Sequence, residues 1–168
     1  MEKMNNAEGD FNRKEEDQIY NSPQKWFIRE KWAQHATIRR DSNRRSYIRL
    51  LTLTSTKTYD INIFKERGLI ATTNSGYLPE SLTFCECVPE RYARIHNRLP
   101  GARGFLGTFE DFVGAGAIGQ SKRANTWFPY DVINLDFTDP CFKQRDKKTS
   151  RTIDAIEKTF WLFDVSSG

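Results

Sequence analysis

Long hydrophobic runs are missing from this chain, and the most apolar stretches, such as DVINLDF, are far too short to cross a bilayer. The opening segment, MEKMNNAEGDFNRKEEDQ, has no hydrophobic signal region, so no secretory leader is expected and a cytoplasmic location follows. Cysteine is scarce. Cys85, Cys87 and Cys141 form an odd set of 3, which excludes the disulfide framework that staples small secreted domains. His35 and His96 stand at no metal-ligand spacing, so reduced core thiols are expected rather than a zinc site, and no metal site is assigned. Cys85 and Cys87, two apart on an expected strand, point the same way. Glycine is absent between Leu50 and Arg67, and no internal repeat is visible.

What remains is ample for a core. The 168 residues suit one domain, with 38% hydrophobic and 29% charged residues, the balance of a folded chain rather than a disordered one. Aromatics reach 13%, with 12 Phe and 4 Trp to supply bulk. The net charge of +4 is unevenly spread. REKWAQHATIRRDSNRRSYIR gathers Arg39, Arg40, Arg44 and Arg45 with three further cations, against only Glu30 and Asp41. Such a cluster attracts phosphate backbones, and the nearby Trp26 and Trp32 can stack on bases. The plainer alternative is a solvated face whose arginines pair with acids elsewhere.

Residues 1–20 are polar and without apolar period, and read as a flexible tail. Ser22-Pro23 reads as an N-cap and first helical residue, and Ile28, Trp32 and Ala36 continue a helix to about Arg39; residues 21–45 thus form a helix with a basic segment. SYIRLLTLTS reads as a first strand covered on both faces, and a short helix from Asp60 stops at Gly68. ATTNSGYLPE is a loop by composition. SLTFCECV is a second strand, PERYARIHNRL a helix stopped by Pro100-Gly101, and ARGFLG a third strand. TFEDFVGAG is a short helix capped by Thr108. The glycines of GAGAIGQSKRANTWF lack the strand and helix that flank a phosphate loop, so the stretch reads as a loop. PYDVINLDF is a fourth strand, TSRTIDAIEKTFW a helix and WLFDVSS a fifth strand. The alternation predicts an α/β domain over residues 46–168: a doubly wound, mostly parallel Rossmann-like sheet of about five strands with helices on both faces.

In this order of strands and placing of acids, the stretch from Tyr47 to Ser166 resembles class I S-adenosylmethionine-dependent methyltransferases. TFCECVPERYARIHNRL is similar to the family's second strand and ribose-binding acid, which points to Glu86. GTFEDFV resembles the segment that contacts the adenine, which points to Thr108 and Phe109. YDVINLDF resembles the fourth strand, ending at Asp136, with Asp139 three residues on in DFTDP. The resemblance implies S-adenosylmethionine as cofactor and a methyl transfer, with Asp136 and Asp139 as the catalytic candidates and nucleic acid held by Arg39, Arg40, Arg44 and Arg45. The sequence departs from the family in its glycine-free LTLTSTKTYD, in Thr108 where an acid is frequent, and in DFTDP, which is not the signature of amino-group methyltransferases. The family continues into two more strands, which implies further sequence or a partner at the sheet edge.

Other readings of the same residues stay open. Glu86 either grips a ribose or caps the following helix and pairs with Arg91. Asp136 and Asp139 either face the reacting groups, form a plain turn, or hold magnesium in a nuclease-like site. The whole domain is either an enzyme or a non-catalytic scaffold that binds nucleic acid or a protein partner without cofactor.

Overall fold

The computed structural model describes residues 21–117, 127–135 and 151–159. The tail, the fifth-strand segment, Cys141, Asp136 and Asp139 lie outside the described residues. Helix α1 spans Pro23–Ser42, with Ser22 as N-cap accepting from the Lys25 N–H and proline in its first turn, as the sequence predicts. Strand β1 (Leu50–Thr52) leads into α2 (Tyr59–Glu66), then the short strands β2 (Thr72–Thr73) and β3 (Gly76–Tyr77). After these come β4 (Leu82–Glu86), α3 (Pro89–Arg98), β5 (Arg103–Leu106), α4 (Phe109–Ala117) and β6 (Val132–Asn134). Residues 151–159 form a further helix, α5.

Four strands make one sheet in the order β5-β4-β1-β6, every neighbour parallel. The protein is therefore an α/β domain built on a parallel sheet, consistent with a Rossmann-like layered fold. Successive residues of a strand face opposite sides, so two cores form. Leu50, Leu82 and Phe84 meet Ala33 and Ala36 of α1, Ile61 and Phe64 of α2, and Ile95 of α3 on the first face. Leu51 and Cys85 meet Phe109, Phe112 and Val113 of α4 and Ala155 of α5 on the second. A fully buried phenylalanine such as Phe64, Phe84 or Phe112 contributes about 1.5–3 kcal/mol through removal of apolar surface from water.

Three details differ from the sequence reading. ATTNSGYLPE is not all loop, because Thr72 and Thr73 pair antiparallel with Tyr77 and Gly76. This hairpin leans on the end of α3, where the Tyr77 N–H donates to the Pro100 carbonyl at 2.7 Å. Glycine is required on both sides of that contact: a Cβ at Gly76 would lie 2.1 Å from the Pro100 carbonyl oxygen, and one at Gly101 2.3 Å from that of Tyr77. The buried stripe of α1 is Arg29, Ala33 and Ala36, while Ile28 is exposed and Trp32 only partly buried. Small alanines let α1 pack against α2, where the Arg29 guanidinium lies 5.4 Å from the Tyr59 ring centroid. Finally, β4 ends at Glu86, so only Cys85 obeys strand alternation; it is buried, and Cys87 beyond the strand is exposed.

Helices α1 and α2 end in the same hydrogen-bond pattern with different residues. Leu69 donates to Phe64 and Gly68 to Lys65, with Gly68 at φ +63°. Arg45 donates to Arg40 and Arg44 to Asp41, with Arg44 at φ +53°. Both are Schellman closures, and the left-handed position is natural for glycine but costly for arginine.

Candidate functional site

In open parallel sheets, ligands sit beyond the carboxyl ends of the strands, at the point where the strand order reverses. Here the order reverses between β1 and β6, where Thr52 is the register partner of Asn134. A polar node closes this point. Asp60, in the first turn of α2, accepts from Thr52 Oγ1 at 2.8 Å, from Thr54 Oγ1 at 2.7 Å and from Asn134 Nδ2 at 3.1 Å. Asn134 Nδ2 also donates to Thr52 Oγ1 at 3.2 Å. All four residues are buried, so each donor finds a partner that water cannot supply. The sequence reading used Asp60 only as a helix opener. The signal for more was present in threonines at alternate positions, Thr52 and Thr54, followed by an acid in the next helix, but no spacing rule reveals that they converge.

The glycine-free segment between β1 and α2 turns without glycine. Thr58, the residue before α2, is buried and adopts φ +56°. A β-branched residue in this region is strained, and the surroundings hold it there. Its N–H donates to the Ser55 carbonyl at 3.0 Å, Leu53 N–H to the Asn134 carbonyl at 3.1 Å, and Arg98 of α3 to the Thr56 carbonyl at 2.7 Å.

Glu86 and Thr108 are brought together. Glu86 pairs with Leu106 across β4 and β5, and the Gly107 N–H donates to the Glu86 carbonyl at 2.9 Å, so Thr108 follows directly on the strand end beside Glu86. The Glu86 side chain is half-buried and its Oε1 accepts from the Val88 N–H at 2.8 Å, which is the helix-start bonding that a structural acid provides. Thr108 forms a reciprocal cap: its Oγ1 accepts from the Asp111 N–H at 3.1 Å, and its N–H donates to Asp111 Oδ2 at 3.2 Å. Phe109 is buried in the second core. Asp136 and Asp139 lie outside the described residues, the described part of that segment ending at Leu135.

The basic segment is divided in its contacts. Arg45 Nη1 binds both oxygens of Asp131, at 2.9 and 2.8 Å, and the Arg49 N–H donates to the same carboxylate at 2.9 Å. Arg40 pairs with its neighbour Asp41, while Arg39 and Arg44 are exposed. Arg39 lines a groove of about 420 Å³ between α1 and β6, with Trp32, His35, Ala36, Val132 and Asn134.

Burial governs the titrating groups on the second face. The Cys85 thiol is pushed up by burial and by the negative charge of Glu110. The Tyr130 phenol is also pushed up by burial, against the opposing effect of the hydrogen bond it donates to Thr83 at 3.1 Å. Both are unreactive core groups at neutral pH. Among the described residues no cluster of His, Cys, Asp or Glu has the makings of a metal site, and no helix is long and apolar enough to cross a membrane. Comparison of the chain with protein-family models, with curated proteins and with solved structures finds no match.

Proposed function

We propose that this domain is a doubly wound, Rossmann-like methyltransferase of about five strands that binds S-adenosylmethionine at the carboxyl edge of its sheet and methylates nucleic acid. The observation that carries this reading is the parallel strand order β5-β4-β1-β6, with Glu86 at the carboxyl end of β4 and Thr108 just after that of β5. Glu86 fits a ribose: it is half-buried, and one oxygen meets only a backbone N–H at its own helix start. Thr108 fits the edge of an adenine, while Phe109 supports that turn from within the core. When bound, the cofactor supplies an electrophilic methyl group. The protein's part is to hold the acceptor in line with it, a matter of positioning. Asp136 and Asp139 stay the catalytic candidates by the family resemblance, and both lie outside the described residues. Arg39, Arg40, Arg44 and Arg45 form the phosphate-facing surface, with Arg45 Nη1 already bound to Asp131 and Arg40 Nε to Asp41.

A second reading, a non-catalytic scaffold of the same architecture that docks on nucleic acid or a protein partner at the sheet edge, is favoured by Thr58. Its side chain stands in the left-handed turn after β1, where glycine would let a cofactor approach the backbone. Titration calorimetry with S-adenosylmethionine and S-adenosylhomocysteine separates the two. The enzyme reading expects binding that Glu86→Ala weakens by about tenfold or more. No heat at millimolar ligand, with folded protein, rejects the enzyme and leaves the scaffold.

A further inference from the structure

We infer that the groove between α1 and β6 receives one unstacked nucleotide of a single-stranded nucleic acid, its base against Trp32 and its phosphate on Arg39. The inference rests on the nucleic-acid reading above and adds to it a place, a stacking residue and a strand state. The volume of about 420 Å³ falls in the range of about 300–1,000 Å³ typical of small-ligand sites. One wall comes from a single helix, where Trp32, His35, Ala36 and Arg39 recur at helical spacing. Ala36 supplies the space, and the partly buried Trp32 is anchored against the first core while it lines the groove. Aromatic stacking suits this position because every base offers a π-face, whatever its sequence.

The floor and the charge agree with such an occupant. Val132 and Asn134 of β6 form the floor. Asn134 Nδ2 is committed to Asp60 and Thr52, so this side chain offers the groove an acceptor only. Asp131 also lines the groove, but its carboxylate is held by Arg45 at 2.8 Å and by the Arg49 N–H, which removes its repulsion toward a phosphate. Arg39 in the last turn of α1 and Arg44 just beyond the helix are both exposed and offer the backbone two cations. The lining along β6 runs on to Leu135, one residue past the carboxyl end of the strand.

The test uses the whole chain and a short fluorescein-labelled DNA single strand, read by anisotropy and by tryptophan quenching, against the same strand with one central abasic site. The abasic strand is expected to bind about tenfold more weakly. Trp32→Leu, which keeps an apolar side chain against the core, abolishes that difference and most of the quenching. Arg39→Ala weakens both strands and lowers the salt slope by about one. If intact and abasic strands bind alike, or if folded Trp32→Leu still discriminates them, the groove is not the base site. If neither strand binds at low salt, the nucleic-acid reading fails with it, whereas cofactor binding, measured separately, is untouched. A groove covered by a second copy of the chain appears as concentration-dependent dimerisation with no discrimination, and this too overturns the inference.

Discussion

Asp60 and Glu86 both stand at the carboxyl edge of the sheet, beside the neighbouring strands β1 and β4, yet their surroundings are opposite. Asp60 is buried and receives two hydroxyls and an amide. Glu86 is half-exposed and receives a single backbone N–H from Val88. The first carboxylate holds the strand ends and the following turn together. The second has bonding capacity left over at the edge where open parallel sheets in general take ligands, and it is the acid that is cheap to lose for folding.

The largest expected effect tests that contrast directly. Asp60→Ala leaves Thr52, Thr54 and Asn134 with buried donors and no carboxylate, and should lower unfolding free energy by about 3 kcal/mol or more. Glu86→Ala should cost less than about 1 kcal/mol, because one partly exposed bond is replaced by water. Urea denaturation midpoints measure both, and equal losses would erase the distinction between the two acids.

A smaller effect comes from the residue just before Glu86. Cys85 points inward, and burial raises its folded thiol above the ordinary value of 9.0. The unfolded thiol ionises first, so the unfolded state binds fewer protons above that pH and stability falls with rising pH. Full stability is therefore retained below about pH 9, with a loss of about 1.4 kcal/mol per pH unit above it for a single such group. Tyr130, raised from 10.0, adds to the loss at still higher pH. Cys85→Ala should be less stable at pH 7 yet show a shallower decline between pH 8 and pH 10 in urea titrations; an unchanged slope would remove Cys85 as its cause.

The smallest effects lie in the two left-handed residues. Thr58→Gly and Arg44→Gly should each stabilise the fold by about 1 kcal/mol, since glycine takes φ +56° and φ +53° without strain. If the Asp60 node imposes the conformation of Thr58, the gain from Thr58→Gly should shrink in the Asp60→Ala background. Arg44, distant from the node, should gain the same in both. Thermal unfolding of the single and double variants reads this coupling.

Much of the fold was legible because its signals are local. Ser22-Pro23 marks the start of α1, Gly68 the end of α2, and Pro89 the start of α3. The hydrophobic run Leu50-Leu51 reads as a strand covered on both faces, and both faces are indeed packed. The hairpin from Thr72 to Tyr77 was not legible, because it depends on Gly76 lying against Pro100 and Gly101 against Tyr77 across the chain. Of the candidate site, Glu86 was visible as a strand-end acid and Thr108 as a helix cap; Asp60 was not, since its partners come from β1, the turn after it and β6.

Among the described residues and apart from the β2–β3 hairpin, the sequence by itself determined the succession of strands and helices, since caps, stops and apolar period are properties of neighbouring residues. Only the tertiary structure decided what each polar residue does, because a buried donor or acceptor takes whatever partner the fold places beside it. Thus Asp60 became a structural anchor, Arg45 the partner of Asp131, and Arg39 with Trp32 the wall of a groove.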